Sequence, residues 1–134
     1  MSPQERHIAI RSDTDIVEAR QAARSLAEQV GFAGTDLVLI ATAVSEVARN
    51  IVKYAHSGEV VLCVVKQGNR LGLSAIAQDD GPGIPDVAKA MELRYSTGGG
   101  LGMGLPGARR VADEFEISSS VGGGTAVKMK KWLR

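Results

Sequence analysis

Val60-Val61-Leu62-Cys63-Val64-Val65-Lys66, then Gly68-Asn69, then Leu71 to Gln78: this stretch decides the architecture. The first run is short and β-branched, the dipeptide is a tight-turn signal, and the second run is the returning arm of a hairpin. The hairpin leads into Asp79-Asp80-Gly81-Pro82-Gly83-Ile84-Pro85, a loop that sets a carboxylate at the end of a strand with glycines behind it. Strands that come in hairpins pair antiparallel, which differs from the strand–helix alternation of a doubly wound sheet.

Working outward, His7 to Arg11 alternates polar and apolar as a half-buried strand does. Ser12 or Asp13 caps a helix whose apolar positions Ile16, Val17, Ala19, Ala23, Leu26, Ala27 and Val30 recur at helical spacing, and Gly31 stops it. Thr35 is expected to cap a second helix, with Leu37, Ile40, Ala41, Val44, Ala48, Ile51 and Ala55 in one stripe. Beyond the hairpin come a short helix from Asp86 to about Met91 and an aperiodic loop from Glu92 to Gly100, expected to be mobile. A helix follows from about Gly104 to Asp113. Strands Phe115–Ser118 and Ala126–Met129 are joined by a turn at Gly122–Gly124. The order β-α-α-β-β-(α)-loop-α-β-β predicts an α/β protein of the α+β two-layer sandwich type. Its sheet should be mixed and mostly antiparallel, with helices on one face.

Composition narrows the classes. At 134 residues, a single domain spanning 1–134 is expected. Sixteen basic against 15 acidic residues leave no basic footprint for nucleic acid. The lone Cys63 excludes a disulfide framework, and no apolar run approaches the ~20 residues of a membrane helix. The start of the chain lacks the apolar core of a signal peptide, so a cytoplasmic protein is expected. His7 and His56 have no partners at ligand spacing, and Trp132 reads as a core residue. Glycine is unusual: sixteen residues, six of them between Gly98 and Gly107. Clustered glycine suits backbone that approaches a ligand closely, although ordinary turns use it too.

Three groups of residues could do chemistry. Glu46 and Asn50 stand four apart, on one face of the second helix. A carboxylate that accepts a proton beside a carboxamide that holds Mg²⁺ needs this spacing, and so does an ordinary surface pair. Lys53, about one turn on, could reach a phosphate or simply be solvated. Asp79 could accept a hydrogen bond from an exocyclic amine, with Gly81 and Gly83 leaving room for a flat ring; it could equally cap a turn. Gly98 to Leu105 runs into a helix N-terminus, which suits phosphates. The formal G-x-G-x-x-G at Gly102, Gly104 and Gly107 does not follow a buried strand, so a dinucleotide fold is rejected. The P-loop motif and the protein-kinase set are absent.

Together, Ser45-Glu46-Val47-Ala48-Arg49-Asn50, Asp79-Asp80-Gly81-Pro82-Gly83-Ile84, Gly100-Leu101-Gly102-Met103-Gly104-Leu105 and Gly122-Gly123-Gly124-Thr125 resemble the four boxes of the Bergerat-type ATPase fold. Gyrase, heat-shock protein 90, histidine kinases and MutL share that fold. The whole chain is similar to the serine/threonine switch kinases of bacterial stress signalling. The ending Lys131-Trp132-Leu133-Arg134 fits that type. The resemblance implies ATP and Mg²⁺ as cofactors. Asn50 would hold the metal, Glu46 would be the base, and Asp79 would read the adenine amine with Thr125 nearby. Gly81 and Gly83 would shape the base pocket, and Gly100, Gly102 and Gly104 the lid. Lys53 would lie at a phosphate and Arg49 at the protein substrate. The implied partners are a STAS-domain antagonist or scaffold protein and a PP2C-type phosphatase or sigma factor. The alternative is an anti-sigma-factor kinase or a non-catalytic, nucleotide-dependent binding module.

Overall fold

The computed structural model describes residues 5–55, 57–81, 104–120 and 123–134. Its elements are β1 (Glu5–Ile10), α1 (Asp13–Val30), α2 (Thr35–Tyr54), β2 (Gly58–Gln67), β3 (Arg70–Asp79), α3 (Gly104–Val111), β4 (Glu114–Ser120) and β5 (Gly124–Trp132). The expected short helix at Asp86–Met91 and the loop Glu92–Gly100 lie outside the described residues.

The five strands form one sheet in the order β1-β2-β3-β5-β4. Every pairing is antiparallel, where a mixed sheet was expected. The reason is that each strand added beside the β2–β3 hairpin runs against its neighbour, leaving no parallel pair among these five. The hairpin turns at Gly68, whose φ of 61° lies in the left-handed region that glycine tolerates.

The helices cover one face. Small residues on α1 (Ala19, Ala22, Ala23 and Ala27) are buried, which lets α1 pack along α2. The core between helices and sheet holds Ile10, Leu26, Val44, Val47, Ile51, Val60, Leu62 and Val127, all fully buried. The Asp15 carboxylate accepts the backbone N–H groups of Arg11 (2.8 Å) and Ser12 (3.2 Å), satisfying donors at the start of α1. Gly31, at φ 126°, ends that helix. Thr35 does not cap α2: it is the first helical residue, and Gly34 at φ 60° takes the cap position without a side-chain bond.

The other face of the sheet carries its own cluster. Cys63 is half-buried there rather than enclosed, and burial pushes its thiol pKa up. Trp132 is buried, but on this face and not in the helix-side core. It lies over Gly72, where a Cβ would meet the indole at 2.8 Å. Arg70 stacks on the ring at 4.3 Å, and the indole N–H donates to Glu114 at 2.7 Å.

Candidate functional site

Register builds the site from one row of residues across the end of the sheet. Ile10 faces Gly58, Gly58 faces Asp79, and Ser119 faces Thr125. Since Gln78 faces Ala126, the next step of that antiparallel register sets Asp79 beside Thr125. The row therefore reads Ile10, Gly58, Asp79, Thr125, Ser119.

The contacts agree. Asp79 Oδ1 accepts the backbone N–H of Gly81 at 2.9 Å and that of Thr125 at 3.2 Å. Thr125 is buried, and its hydroxyl contacts the Ser119 hydroxyl at 3.0 Å. A cleft of about 800 Å³ opens here, lined in part by Gly58, Asp79, Ser119, Gly124 and Thr125. That volume falls in the range of small-molecule sites, roughly 300–1,000 Å³.

Three glycines let the backbone close around Asp79. A Cβ on Gly81 would stand 2.5 Å from the Ala55 side chain. One on Gly58 would stand 2.5 Å from the Gln78 carbonyl oxygen and 2.9 Å from Asp79 Cβ. Gly124, at φ 83°, has no room for a Cβ against the Asp79 carbonyl oxygen. Sequence reading singled out Gly81 but took Gly58 for a helix stop. The signal available was that Gly58 immediately precedes a β-branched strand. Ser119 was missed because Ser118, Ser119 and Ser120 are alike in sequence and only the register separates them.

The second set of residues lies on α2. Glu46 is buried, where sequence reading put it at the border of the apolar stripe. Ala43, Ser45 and Val47 are buried too, so α2 is covered well beyond one stripe. The Glu46 carboxylate accepts a 2.6 Å hydrogen bond from the Arg49 guanidinium, an i,i+3 ion pair. Asn50 follows, half-buried. Arg49 and Lys53 line a groove of about 520 Å³ between α1 and α2, with Asp13, Val17, Arg20 and Ser45. The structure thus brings Asp79, Gly81 and Thr125 together and sets Arg49 and Lys53 elsewhere. Lys53 approaches the Tyr54 ring at 5.4 Å. Gly104 begins α3, whose Leu105 and Ala108 are buried against the helix layer. Gly83, Gly100 and Gly102 lie outside the described residues.

The donor set fits an adenine nucleotide. A carboxylate beside a buried hydroxyl, with glycine backbone on both sides, can accept from an amine on a flat ring. Among the described residues no three His, Cys, Asp or Glu side chains cluster as a metal site. That suits Mg²⁺, which commonly takes one or two protein ligands and completes its shell from phosphates and water. No helix among the described residues is long and apolar enough to cross a membrane.

An antiparallel sheet roofed by helices on one face, with an acidic, glycine-walled cleft at its end, defines a nucleotide-binding class of protein. Residues 11–131 match the histidine kinase-like ATPase domain, and the chain belongs to that family. It is 48% identical to the serine/threonine-protein kinase RsbT of Bacillus subtilis, over 95% of this chain and 96% of that protein. It is 31% identical to the anti-sigma F factor of Thermoanaerobacter sp., over 86% of this chain and 83% of that one. In fold it resembles the mycobacterial sensor histidine kinase MprB, with a TM-score of 0.56 at 16% identity, covering 99% of each chain. It also resembles a chain of the SiaB–SiaC complex of Pseudomonas aeruginosa, with a TM-score of 0.53 at 11% identity, covering 97% of this chain and 89% of that one. The ATPase domain and the 48% identity together support an ATP-dependent serine/threonine kinase.

Proposed function

We propose that this chain is a single-domain cytoplasmic kinase that transfers the γ-phosphate of ATP to a serine or threonine of a STAS-domain antagonist or scaffold protein. After release from that partner it would bind and activate a PP2C-type phosphatase. The observation that carries the reading is Asp79, fixed by the Gly81 and Thr125 N–H groups at the mouth of the cleft, in a chain 48% identical to a serine/threonine kinase.

The residues take these parts. Asp79 reads the adenine amine with Thr125 beside it, and Gly81 and Gly83 shape the pocket. Gly100, Gly102 and Gly104 let the lid wrap the triphosphate. Asn50 holds Mg²⁺, which neutralises phosphate charge when bound. Glu46 orients the attacking hydroxyl or accepts its proton, and its burial keeps it out of bulk water. Arg49 spans Glu46 and the α1–α2 groove, which suits contact with the incoming protein. Lys53 lies in the same groove, so a phosphate contact would require it to reach from there. Phosphoryl transfer depends chiefly on positioning and charge stabilisation, and the fold supplies both.

The similarity to an anti-sigma F factor favours one second reading, a kinase whose principal partner is a sigma factor. The test mixes the protein with γ-labelled ATP, Mg²⁺ and purified STAS-domain candidates. Label on a serine or threonine, lost with Glu46→Gln, supports the proposal. Tight ATP binding with no label on any candidate, together with capture of a sigma factor, favours the second reading.

A further inference from the structure

Ser119 carries no role in the reading above, yet its hydroxyl stands at the end of the base-reading row. It donates to the Gly124 carbonyl oxygen at 3.3 Å and contacts Thr125 Oγ1 at 3.0 Å. A serine hydroxyl has one hydrogen, and a carbonyl oxygen can only accept. With that hydrogen directed to Gly124, the contact between the two hydroxyls is made by the hydrogen of Thr125. The Thr125 oxygen then has only lone pairs left to offer. Its neighbour Asp79 is a carboxylate, acceptor-only when ionised, with Oδ1 already receiving two N–H groups. Two acceptors side by side favour a donor in the ligand and reject another acceptor.

We propose that Ser119 is a specificity-determining positioning residue. By fixing the direction of the Thr125 hydroxyl, it makes the end of the cleft accept from a 6-aminopurine and turn away a 6-oxopurine. The inference rests on the nucleotide-binding reading of the cleft. A 6-oxo oxygen facing Asp79 and an acceptor-only Thr125 would leave all three without a hydrogen to share, and such unmade bonds discriminate strongly. Without Ser119, the Thr125 hydroxyl can turn and donate to that oxygen, so discrimination weakens while ATP still binds.

The test measures Kd for Mg·ATP and Mg·ITP, which differ at the 6-position and at N1 of the ring. Wild type, Ser119→Ala and Ser119→Thr are compared, each checked for folding by its thermal transition. Ser119→Ala is expected to lower the ATP-over-ITP preference about tenfold, the scale of one net hydrogen bond, and Ser119→Thr to restore it. A second arm places Ser119→Ala on a Thr125→Val background. There it should leave the preference unchanged, because the group it steers is gone. An unchanged preference in Ser119→Ala overturns the proposal, as does an equal weakening of both nucleotides. If Ser119→Ala does not fold, failure of Ser119→Thr to keep the wild-type preference overturns it. Wild type that binds neither nucleotide removes the nucleotide reading itself, a result distinct from ATP binding with an unaltered ratio.

Discussion

The Asp79 carboxylate accepts the backbone N–H of Thr125 at 3.2 Å, joining the end of β3 to the start of β5 across 46 residues of sequence. The same oxygen accepts the N–H of Gly81 at 2.9 Å, so one atom fixes the strand end, the following loop and the neighbouring strand. The other oxygen, Oδ2, accepts nothing among the described residues and is available to a ligand. Replacing Asp79 by Asn keeps the shape but presents an amide donor where an acceptor is needed. ATP affinity should fall about 100-fold, the scale of losing a charge-assisted hydrogen bond and leaving a mismatched one. Titration calorimetry with Mg·ATP checks this. Wild-type affinity in the variant would remove the base-reading role of Asp79.

Glu46 is expected to behave differently. Its carboxylate is buried in α2 and held by Arg49 at 2.6 Å, away from the residues of the Asp79 cleft. Glu46→Gln should leave ATP binding within about threefold and lower phosphoryl transfer by 10²-fold or more, the usual scale for a general base. Arg49→Ala should also slow transfer, since it frees the carboxylate from its fixed direction. It should in addition destabilise the fold, because a buried carboxylate loses its partner. Single-turnover transfer and a thermal melt on the same preparations separate the two effects.

The glycine wall makes a third expectation. Gly58→Ala would place a Cβ 2.5 Å from the Gln78 carbonyl oxygen and 2.8 Å from Ile51 Cγ2. Neither neighbour can yield easily, one being strand backbone and the other a fully buried side chain. Destabilisation of about 1–3 kcal/mol is expected, with weaker ATP binding because the same shift displaces Asp79. Gly68→Ala is the control. Gly68 has a positive φ of 61° but nothing within 4 Å, so it should lose stability through backbone strain and leave binding intact. Urea unfolding and nucleotide titration on both variants read the contrast.

Much of this was legible in sequence. The hairpin declared itself because Val60–Lys66 and Leu71–Gln78 flank a two-residue turn, and turn chemistry is local. Asp79 and Gly81 stood out because a carboxylate at a strand end before glycine has few other uses. What stayed hidden depends on register and on packing from outside the element. Gly58 and Asp79 are distant in sequence and meet only through strand pairing. Glu46 is covered because α2 packs on α1, α3 and the sheet together, which no single-helix periodicity reveals. Trp132 looked like core because it is large and apolar. Its place on the opposite face follows from strand alternation over Gly72.

Two exposed ion-pair clusters give opposite pH signatures. The His7 imidazole bonds Glu5 at 2.6 Å and Glu59 at 3.2 Å, and the Glu5 bond foremost, then that to Glu59, raises its pKa above the ordinary value of 6.5. A group whose pKa is raised on folding stabilises the fold fully below its unfolded value. That contribution is lost as pH climbs through the folded one. Asp113 has the reverse sign. Its carboxylate accepts from the Arg134 guanidinium at 2.8 Å and from the Trp132 backbone N–H at 2.7 Å. These partners, the Arg134 bond first, hold its pKa below the usual 3.8. Its contribution is present above the unfolded value and is lost as pH falls through the folded one. His7→Gln should therefore flatten the stability profile just above pH 6.5 and leave the acid limb alone. Asp113→Asn should flatten the acid limb below pH 3.8 and leave the neutral region alone. Thermal midpoints across both ranges, at low and high salt, check this, with both differences shrinking in salt because the pairs are solvent-facing. An unaltered acid limb in Asp113→Asn would show that the Arg134 clasp contributes nothing to the fold in solution.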